Sequence, residues 1–189
     1  MTIKSTLPPG AILLPGFVTV AEEEALLRAL DGGAWSSELK RRVQHFGYRY
    51  DYRARAVTAD AWLGYLPDWL MPLCRRLETE TPFRRMPDQA IANEYMPGQG
   101  IAAHVDCVPC FSDRVASLSL GSACEMIFRH RETGERLLVR LDQNALIVLT
   151  GAARYDWTHE IPARKSDVVN GERVQRARRV SLTFRNVVI

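Results

Sequence analysis

His104 and Asp106 are separated by a single residue, and His159 follows much later, behind an apolar run. Two imidazoles and one carboxylate form the ligand set that holds non-haem Fe(II) on one face and leaves the other positions open. His-x-Asp alone is a weak motif, and its surroundings strengthen it. Gly98-Gln99-Gly100 reads as a turn, and Ile101-Ala102-Ala103 as the apolar start of a strand over 101–106. Residues i and i+2 of a strand face the same side, so His104 and Asp106 would converge on one point. The third ligand must come from a distant strand. His159 is the best candidate, because it follows the strand-length run Ala145-Leu-Ile-Val-Leu-Thr150 and the turn residue Gly151. His130 and His45 are the alternatives: the first precedes a hairpin tip, and the second lies in a basic, aromatic segment where substrate contact is the better role.

A second constellation closes the chain. Arg179-Val-Ser-Leu-Thr-Phe-Arg185 alternates as a strand, with Arg179, Ser181, Thr183 and Arg185 on one face and Val180, Leu182 and Phe184 on the other. Inward-facing cations need anionic partners, and the planar guanidinium fork binds a carboxylate in two-pronged fashion. A dicarboxylate co-substrate is a natural partner; without the His/Asp set, an exposed edge strand would be the better reading. Asn93 and Tyr95 repeat the i, i+2 device with an amide and a phenol.

The elements that must position these groups are legible in outline. Thr19-x-x-Glu22 is a capping-box signal for a helix running to about Leu30, with Leu26, Leu27 and Leu30 as its buried stripe. A second helix starts near Pro67-Asp68 and runs toward Glu80. From Ala90 onward the chain reads as short strands: 90–96, 101–106, 115–120, 125–130, 136–141, 145–150 and 178–187, with a polar loop over 163–177. This pattern predicts an α+β, mainly β fold: a double-stranded β-helix, or jelly roll, with N-terminal supporting helices; a substrate lid over it is what the resemblance given below implies. The expected organisation is one domain over 1–189, with helical support and lid in 1–89 and the jelly-roll core in 90–189.

In the segment 40–55, which the resemblance given below implies to be the lid, six Lys/Arg interleave with four aromatic residues. Cations meet phosphates and aromatic faces stack on bases, so this pattern fits a nucleic-acid surface; an amphipathic hairpin with core tyrosines is the competing reading. His45, Phe46, Tyr48 and Tyr50 are the expected substrate contacts, and Arg154 the added charge beside the pocket. Arginine supplies 22 of the 25 basic residues, a bias that base composition of the gene explains as well as phosphate contact does. Cys107-x-x-Cys110 follows Asp106 directly; with no second such pair, free thiols are expected rather than a zinc site, with redox sensitivity as a secondary idea. No apolar stretch is long enough for a membrane helix, and Met1 to Gly10 lacks an apolar signal core, so a cytoplasmic monomer without membrane contact is the expectation.

Taken in order, Asn93-Glu-Tyr-Met-Pro-Gly-Gln-Gly-Ile-Ala-Ala-His104-Val-Asp106, Ser117-Leu-Ser-Leu-Gly121, Gly151-Ala-Ala-Arg154-Tyr-Asp-Trp-Thr-His159 and Arg179 to Arg185 resemble the AlkB family of Fe(II)/2-oxoglutarate dioxygenases. The resemblance covers roughly residues 10–189. Through Gln44-His-Phe-Gly-Tyr48, Pro97-Gly-Gln-Gly100 and Trp157-Thr-His159, the chain is most similar to the subgroup containing the tRNA-modifying AlkB homologue. The resemblance implies that His104, Asp106 and His159 bind Fe(II), that Arg179 pairs with the distal carboxylate of 2-oxoglutarate, and that Asn93, Tyr95 and Arg185 hold its keto-acid end or flanks. O2 is the other co-substrate it implies. It further implies oxidative demethylation of N-alkylated bases in single-stranded DNA or RNA, with hydroxylation of a tRNA base, a protein side chain or a small metabolite as the alternative.

Overall fold

The computed structural model describes residues 7–189; residues 1–6, part of the N-terminal segment considered for targeting, lie outside the described residues. The organising element is the last strand, β12 (Arg179–Val187), in which every residue is buried. It pairs antiparallel with β3 (Gln89–Tyr95) on one side and β5 (Phe111–Gly121) on the other. β8 (Leu146–Leu149) and β1 (Ala11–Leu14) extend the sheet past β5, and β2 (Val43–Phe46) extends it past β3, giving the order β1-β8-β5-β12-β3-β2. Two strands of this sheet therefore come from the first 89 residues, which do more than supply helices.

One face of β12 presents Val180, Leu182 and Phe184, as its alternation predicts. They pack with Leu118 and Leu120 of β5 and with Leu30, Leu73 and Leu77 of the two supporting helices. These are α1 (Val20–Asp31) and α2 (Met71–Glu80), the latter preceded by a 3-10 turn over Asp68–Leu70. The capping box forms as expected: Glu22 N–H donates to Thr19 Oγ1 at 3.2 Å and Thr19 N–H to Glu22 Oε2 at 2.7 Å. Buried Glu23 ties α1 to the sheet by accepting from Gly121 N–H and from Gln143 Nε2, both at 2.6 Å.

The opposing sheet has the order β4-β9-β6-β7: β4 (Ile101–His104), β9 (Trp157–Ile161), β6 (Cys124–His130) and β7 (Arg136–Leu141). Met126, Phe128, Trp157 and Ile161 face Ile147 and Leu149 of the larger sheet across a second core. Two antiparallel sheets packed face to face in this way make the jelly roll.

Three differences from the sequence expectation have physical causes. Strand 101–106 ends at His104, so Asp106 sits on the turn beyond it. Residues 157–161 form β9, which the residue pattern around His159 did not announce. The expected loop over 163–177 holds a hairpin, β10 (Ser166–Val169) and β11 (Glu172–Gln175), turned at Asn170-Gly171, both with positive φ. Its polarity disguises it: buried Asp167 is gripped by Arg164 and by Arg176, each at 2.7 Å, so ion pairs replace apolar packing there.

Candidate active site

Strand register brings the two distant imidazoles together. His104, the last residue of β4, lies directly opposite His159 on β9. Their ring centroids are 4.4 Å apart. Asp106, two residues on, turns its carboxylate into the same space, and one potential ligand atom from each of the three lies within 4.8 Å of the others. His104 Nδ1 is 2.8 Å from Ala102 O, a contact that requires the proton on Nδ1 and leaves the Nε2 lone pair free.

The electrostatics suit a cation. Burial pushes the His159 imidazole down to about 3, with His104 adding to the effect, so the ring is neutral at ordinary pH. Burial pushes Asp106 the other way, but Arg185, with His159 and His104, holds the carboxyl well below its ordinary range. His159 Nε2 and Asp106 Oδ2 thus meet at 3.5 Å as a neutral imidazole and a carboxylate, not as an ion pair. Converging lone pairs in a buried site are what a divalent metal satisfies.

The shell behind the carboxylate is built by two arginines. Arg185 donates from Nε to Asp106 Oδ1 at 2.8 Å and from Nη2 to the same oxygen, with Gln89 Oε1 accepting from Nη1 at 3.3 Å. This leaves Oδ2 facing His159 and pairs Arg185, expected beside the keto acid, with Asp106 in this structure. Arg154, 2% exposed, donates to the backbone carbonyls of Asp106, Cys107 and Ser112. The expectation that Arg154 contacts substrate is therefore corrected: its guanidinium is consumed by backbone carbonyls of the turn after β4 and of the start of β5. Cys107 and Cys110, expected as free thiols, are joined by a disulfide within that turn, where their Cα atoms are 5.3 Å apart. The other two cysteines, Cys74 and Cys124, are free and buried.

Arg179 lies one alternation beyond Ser181 on the same face of β12. It is 3% exposed, and its Nη2 donates to Ser119 Oγ at 2.8 Å. Its Nε and Nη1 are buried without a partner. Unsatisfied donors on a buried cation are costly, and an anionic oxygen placed beside them removes that cost. Tyr95 lies beneath, with its ring centroid 5.5 Å from the guanidinium carbon. Asn93 is close by and is already engaged, accepting from Arg41 Nε at 3.0 Å.

A cavity of about 730 Å³ opens above the His/Asp cluster, lined among others by Asn93, Tyr95, Ser117, Ser181 and Thr183. Tyr50 lines it as expected. His45, Phe46 and Tyr48 do not, and the reason is local: the chain through β2 alternates, and these side chains are claimed elsewhere. His45 Nδ1 accepts from Tyr50 N–H at 3.2 Å, Phe46 packs edge-on against Trp69, and Tyr48 joins the small core of Cys110, Phe111 and Val187. In their place the wall carries Tyr52 and three arginines not singled out from sequence as cavity contacts, Arg41, Arg55 and Arg131. The first two arginines and Tyr52 lie in the basic aromatic segment, so the segment carried the signal although composition did not say which of its residues face the cavity. Arg131 sits on the tip after His130 and had no signal.

A family model described as the 2OG-Fe(II) oxygenase superfamily matches residues 10–185. The Arabidopsis thaliana "Alkylated DNA repair protein ALKBH8 homolog" is 38% identical over 95% of this chain and 58% of its own length. The Xenopus tropicalis tRNA (carboxymethyluridine(34)-5-O)-methyltransferase alkbh8 is 36% identical over 98% of this chain and 33% of its own length. This chain therefore spans between a third and three fifths of those two relatives. The Bos taurus alpha-ketoglutarate-dependent dioxygenase alkB homolog 7, mitochondrial, is 30% identical, with 98% of this chain and 82% of that protein covered. The solved structure of OsALKBH1 superposes with a TM-score of 0.69 at 18% identity, covering 95% of this chain and 98% of that one, a likeness of fold.

Proposed function

The chain belongs to the 2OG-Fe(II) oxygenase superfamily and, within it, to the AlkB family, and from that premise we propose that it oxygenates a modified base of RNA, with tRNA as the first candidate. As a member of this family it is an oxidoreductase that uses Fe(II), 2-oxoglutarate and O2. Bound together, these supply the oxidising chemistry: 2-oxoglutarate is converted to succinate and CO2, one oxygen atom of O2 enters the succinate, and the other enters a substrate C–H bond.

In this reading His104, Asp106 and His159 hold the iron. Arg185 fixes the Asp106 carboxylate so that one oxygen points at the metal, and Arg154 holds the turn that carries it. Arg179 takes the far carboxylate of the co-substrate, and Tyr95 and Asn93 flank it. Asp106 and Arg179 are buried, so their charges act in a lower dielectric than at the surface.

The observation that carries the substrate class is the cavity wall. Asp106 is the one acid along it and is taken by Arg185, whereas Arg41, Arg55 and Arg131 have no carboxylate partner among the described residues. Flat Tyr50 and Tyr52 stand beside them. A planar base carried on a polyanion matches both features, and a base processed in such a pocket must be turned out of its stack. The name of the Xenopus relative, a tRNA carboxymethyluridine enzyme, favours a carbon substituent and a stable alcohol as product. The name of the Arabidopsis relative favours a second reading, repair of an alkylated base, in which hydroxylation of an N-methyl group sheds formaldehyde.

Mass spectrometry of nucleosides separates the readings. The protein is incubated with Fe(II), ascorbate and 2-oxoglutarate on bulk tRNA and on methylated DNA and RNA oligonucleotides. Gain of one oxygen atom on a tRNA nucleoside supports the proposal, and loss of one CH2 from a methylated base supports the repair reading. Succinate formed without change in any nucleic acid refutes both.

A further inference from the structure

The lid carries an aromatic surface outside the cavity. Residues 59–65 run alongside the chain leaving β2: Tyr48 and Trp62 form an antiparallel bridge, Arg49 N–H donates to Ala61 O at 2.9 Å, and Leu63 N–H donates to Gly47 O at 2.8 Å. Gly47 anchors this edge to the body of the protein. Its φ is +78°, and a Cβ there would lie 1.9 Å from Asp88 O, so only glycine allows the approach. The segment is thus held in place by backbone bonds to the chain leaving β2.

On this fixed edge the largest apolar side chains face solvent. Tyr65 is 92% exposed, Leu63 56% and Trp62 52%. Single exposed apolar residues are ordinary, but three within four residues form a patch. The Trp62 and Tyr65 rings meet edge to face with centroids 5.6 Å apart, so they hold each other upright instead of collapsing onto the body. Exposed cations lie on the adjoining stretch: Arg49, which shares Glu38 at 3.2 Å, and Arg53 and Arg55, which have no ion pair among the described residues. The acid between them, Asp51, is occupied in its own turn, accepting from Arg53 N–H and Ala54 N–H at 2.8 Å. Asp60 is the remaining acid on this edge, hydrogen-bonded to Thr58.

The patch is close to the cavity. Tyr50, on the cavity wall, is two residues from Tyr48, and Tyr48 lies across the bridge from Trp62. From strand rise and strand spacing, the Trp62 and Tyr50 backbones are on the order of 8 Å apart. A nucleotide next to one held in the cavity is within reach of Trp62.

We infer that Trp62 and Tyr65 form a stacking platform for unpaired nucleotides of a single-stranded RNA flanking the base in the cavity, with Arg53 and Arg55 meeting the phosphates. The inference rests on the reading of the substrate as RNA. It adds that the enzyme engages a stretch of single strand and not an isolated nucleoside. Aromatic faces and cations interleaved on one edge fit that partner; an apolar protein surface would leave the arginines unmatched.

Tryptophan fluorescence of the full chain, titrated with a short unmodified single-stranded RNA, tests the platform independently of turnover. Saturable quenching is expected, and Trp62→Phe should remove most of the signal while RNA binding, followed by a label on the RNA, persists. Trp62→Ala and Tyr65→Ala should each weaken binding by about 5- to 150-fold, the worth of stacking one base. Both replace exposed side chains, so thermal midpoints close to wild type are expected as the folding control. Unchanged RNA affinity in both alanine variants overturns the platform, and if tRNA is still oxidised it does so without touching the substrate reading. A wild-type protein that sediments as a dimer, which Trp62→Ala dissociates, also overturns it by assigning the patch to a second copy. Absence of RNA binding by the wild-type chain together with absence of tRNA oxidation sinks both.

Discussion

Replacing Arg185 by methionine separates two roles that a strand-end arginine near such a site could have. In the structure both Arg185 and Asp106 are buried, and two of the guanidinium's N–H groups converge on one carboxylate oxygen. Removing the cation leaves Asp106 ionised, desolvated and unpaired, a change that costs about 3–5 kcal/mol in the metal-free protein. For a chain of this size that corresponds to a fall in Tm of roughly 6–20 °C. A bound divalent ion restores a positive neighbour to the carboxylate, so the deficit should shrink when metal is added. The metal should also bind more weakly, by about 10- to 100-fold, because the group that orients its ligand is gone. The assay is thermal unfolding with and without Mn(II), together with a Mn(II) titration, on wild type and Arg185→Met. A variant as stable as wild type without metal, or with unchanged Mn(II) affinity and only a raised KM for 2-oxoglutarate, would refute the pairing and return Arg185 to the co-substrate.

Arg179→Met should raise the KM for 2-oxoglutarate about 10- to 150-fold, the worth of one charge-assisted hydrogen bond, while Mn(II) affinity holds; Arg179→Lys should recover little, since an ammonium cannot copy the planar guanidinium. Arg154→Met removes a donor from three backbone carbonyls, of which Cys107 O keeps the Cys110 and Phe111 N–H groups, and should cost about 2 kcal/mol or more by urea unfolding, with no separate effect on substrate affinity. Acid sensitivity has an identifiable contributor in Glu94, whose carboxyl is held below 4.5 by hydrogen bonds from Arg42 against the opposing effect of burial, with Arg178 assisting. Because the folded state lowers this value, its stabilisation is present above pH 4.5 and is lost as pH falls through the folded value. Tm measured at neutral pH and near pH 4 should drop further in wild type than in Glu94→Gln; an equal drop removes Glu94 from the account.

Much of the machinery could be read from residue order, and the reasons for what could not are instructive. The i, i+2 rule placed Arg179, Ser181 and Thr183 on the inner face of β12 correctly, because a strand in mid-sheet has little freedom to deviate. The same rule reached the right conclusion for His104 and Asp106 by a partly wrong route: β4 ends at His104, and Arg154 and Arg185, not strand pleat, bring Asp106 into line. His159 was found by elimination, whereas its position opposite His104 is a matter of inter-strand register, a long-range property that no local pattern encodes. The lid was recognisable by composition but not by orientation. Phe46 and Tyr48 look like stacking residues, yet tertiary packing against Trp69 and Phe111 claims one and the other, leaving Tyr50 and Tyr52 for the cavity. The hairpin β10–β11 was hidden because salt bridges at Asp167 stand in for the apolar alternation that marks most strands, although Asn170-Gly171 was a turn signal in plain view.

β12 is bonded along nearly its whole length to neighbours on both sides, and all of its residues are buried. The amides of this strand should therefore be among the last in the molecule to exchange with deuterium, and the arginine and hydroxyl side chains it presents to the cavity share that permanence. The segment 47–65 hangs instead from the peripheral margin of the same sheet through β2. On the proposed reading, choice of target is shared between that segment and Arg41 and Arg131 on the same wall, so new targets are acquired by rewriting the rim while the furnace behind it stays lit.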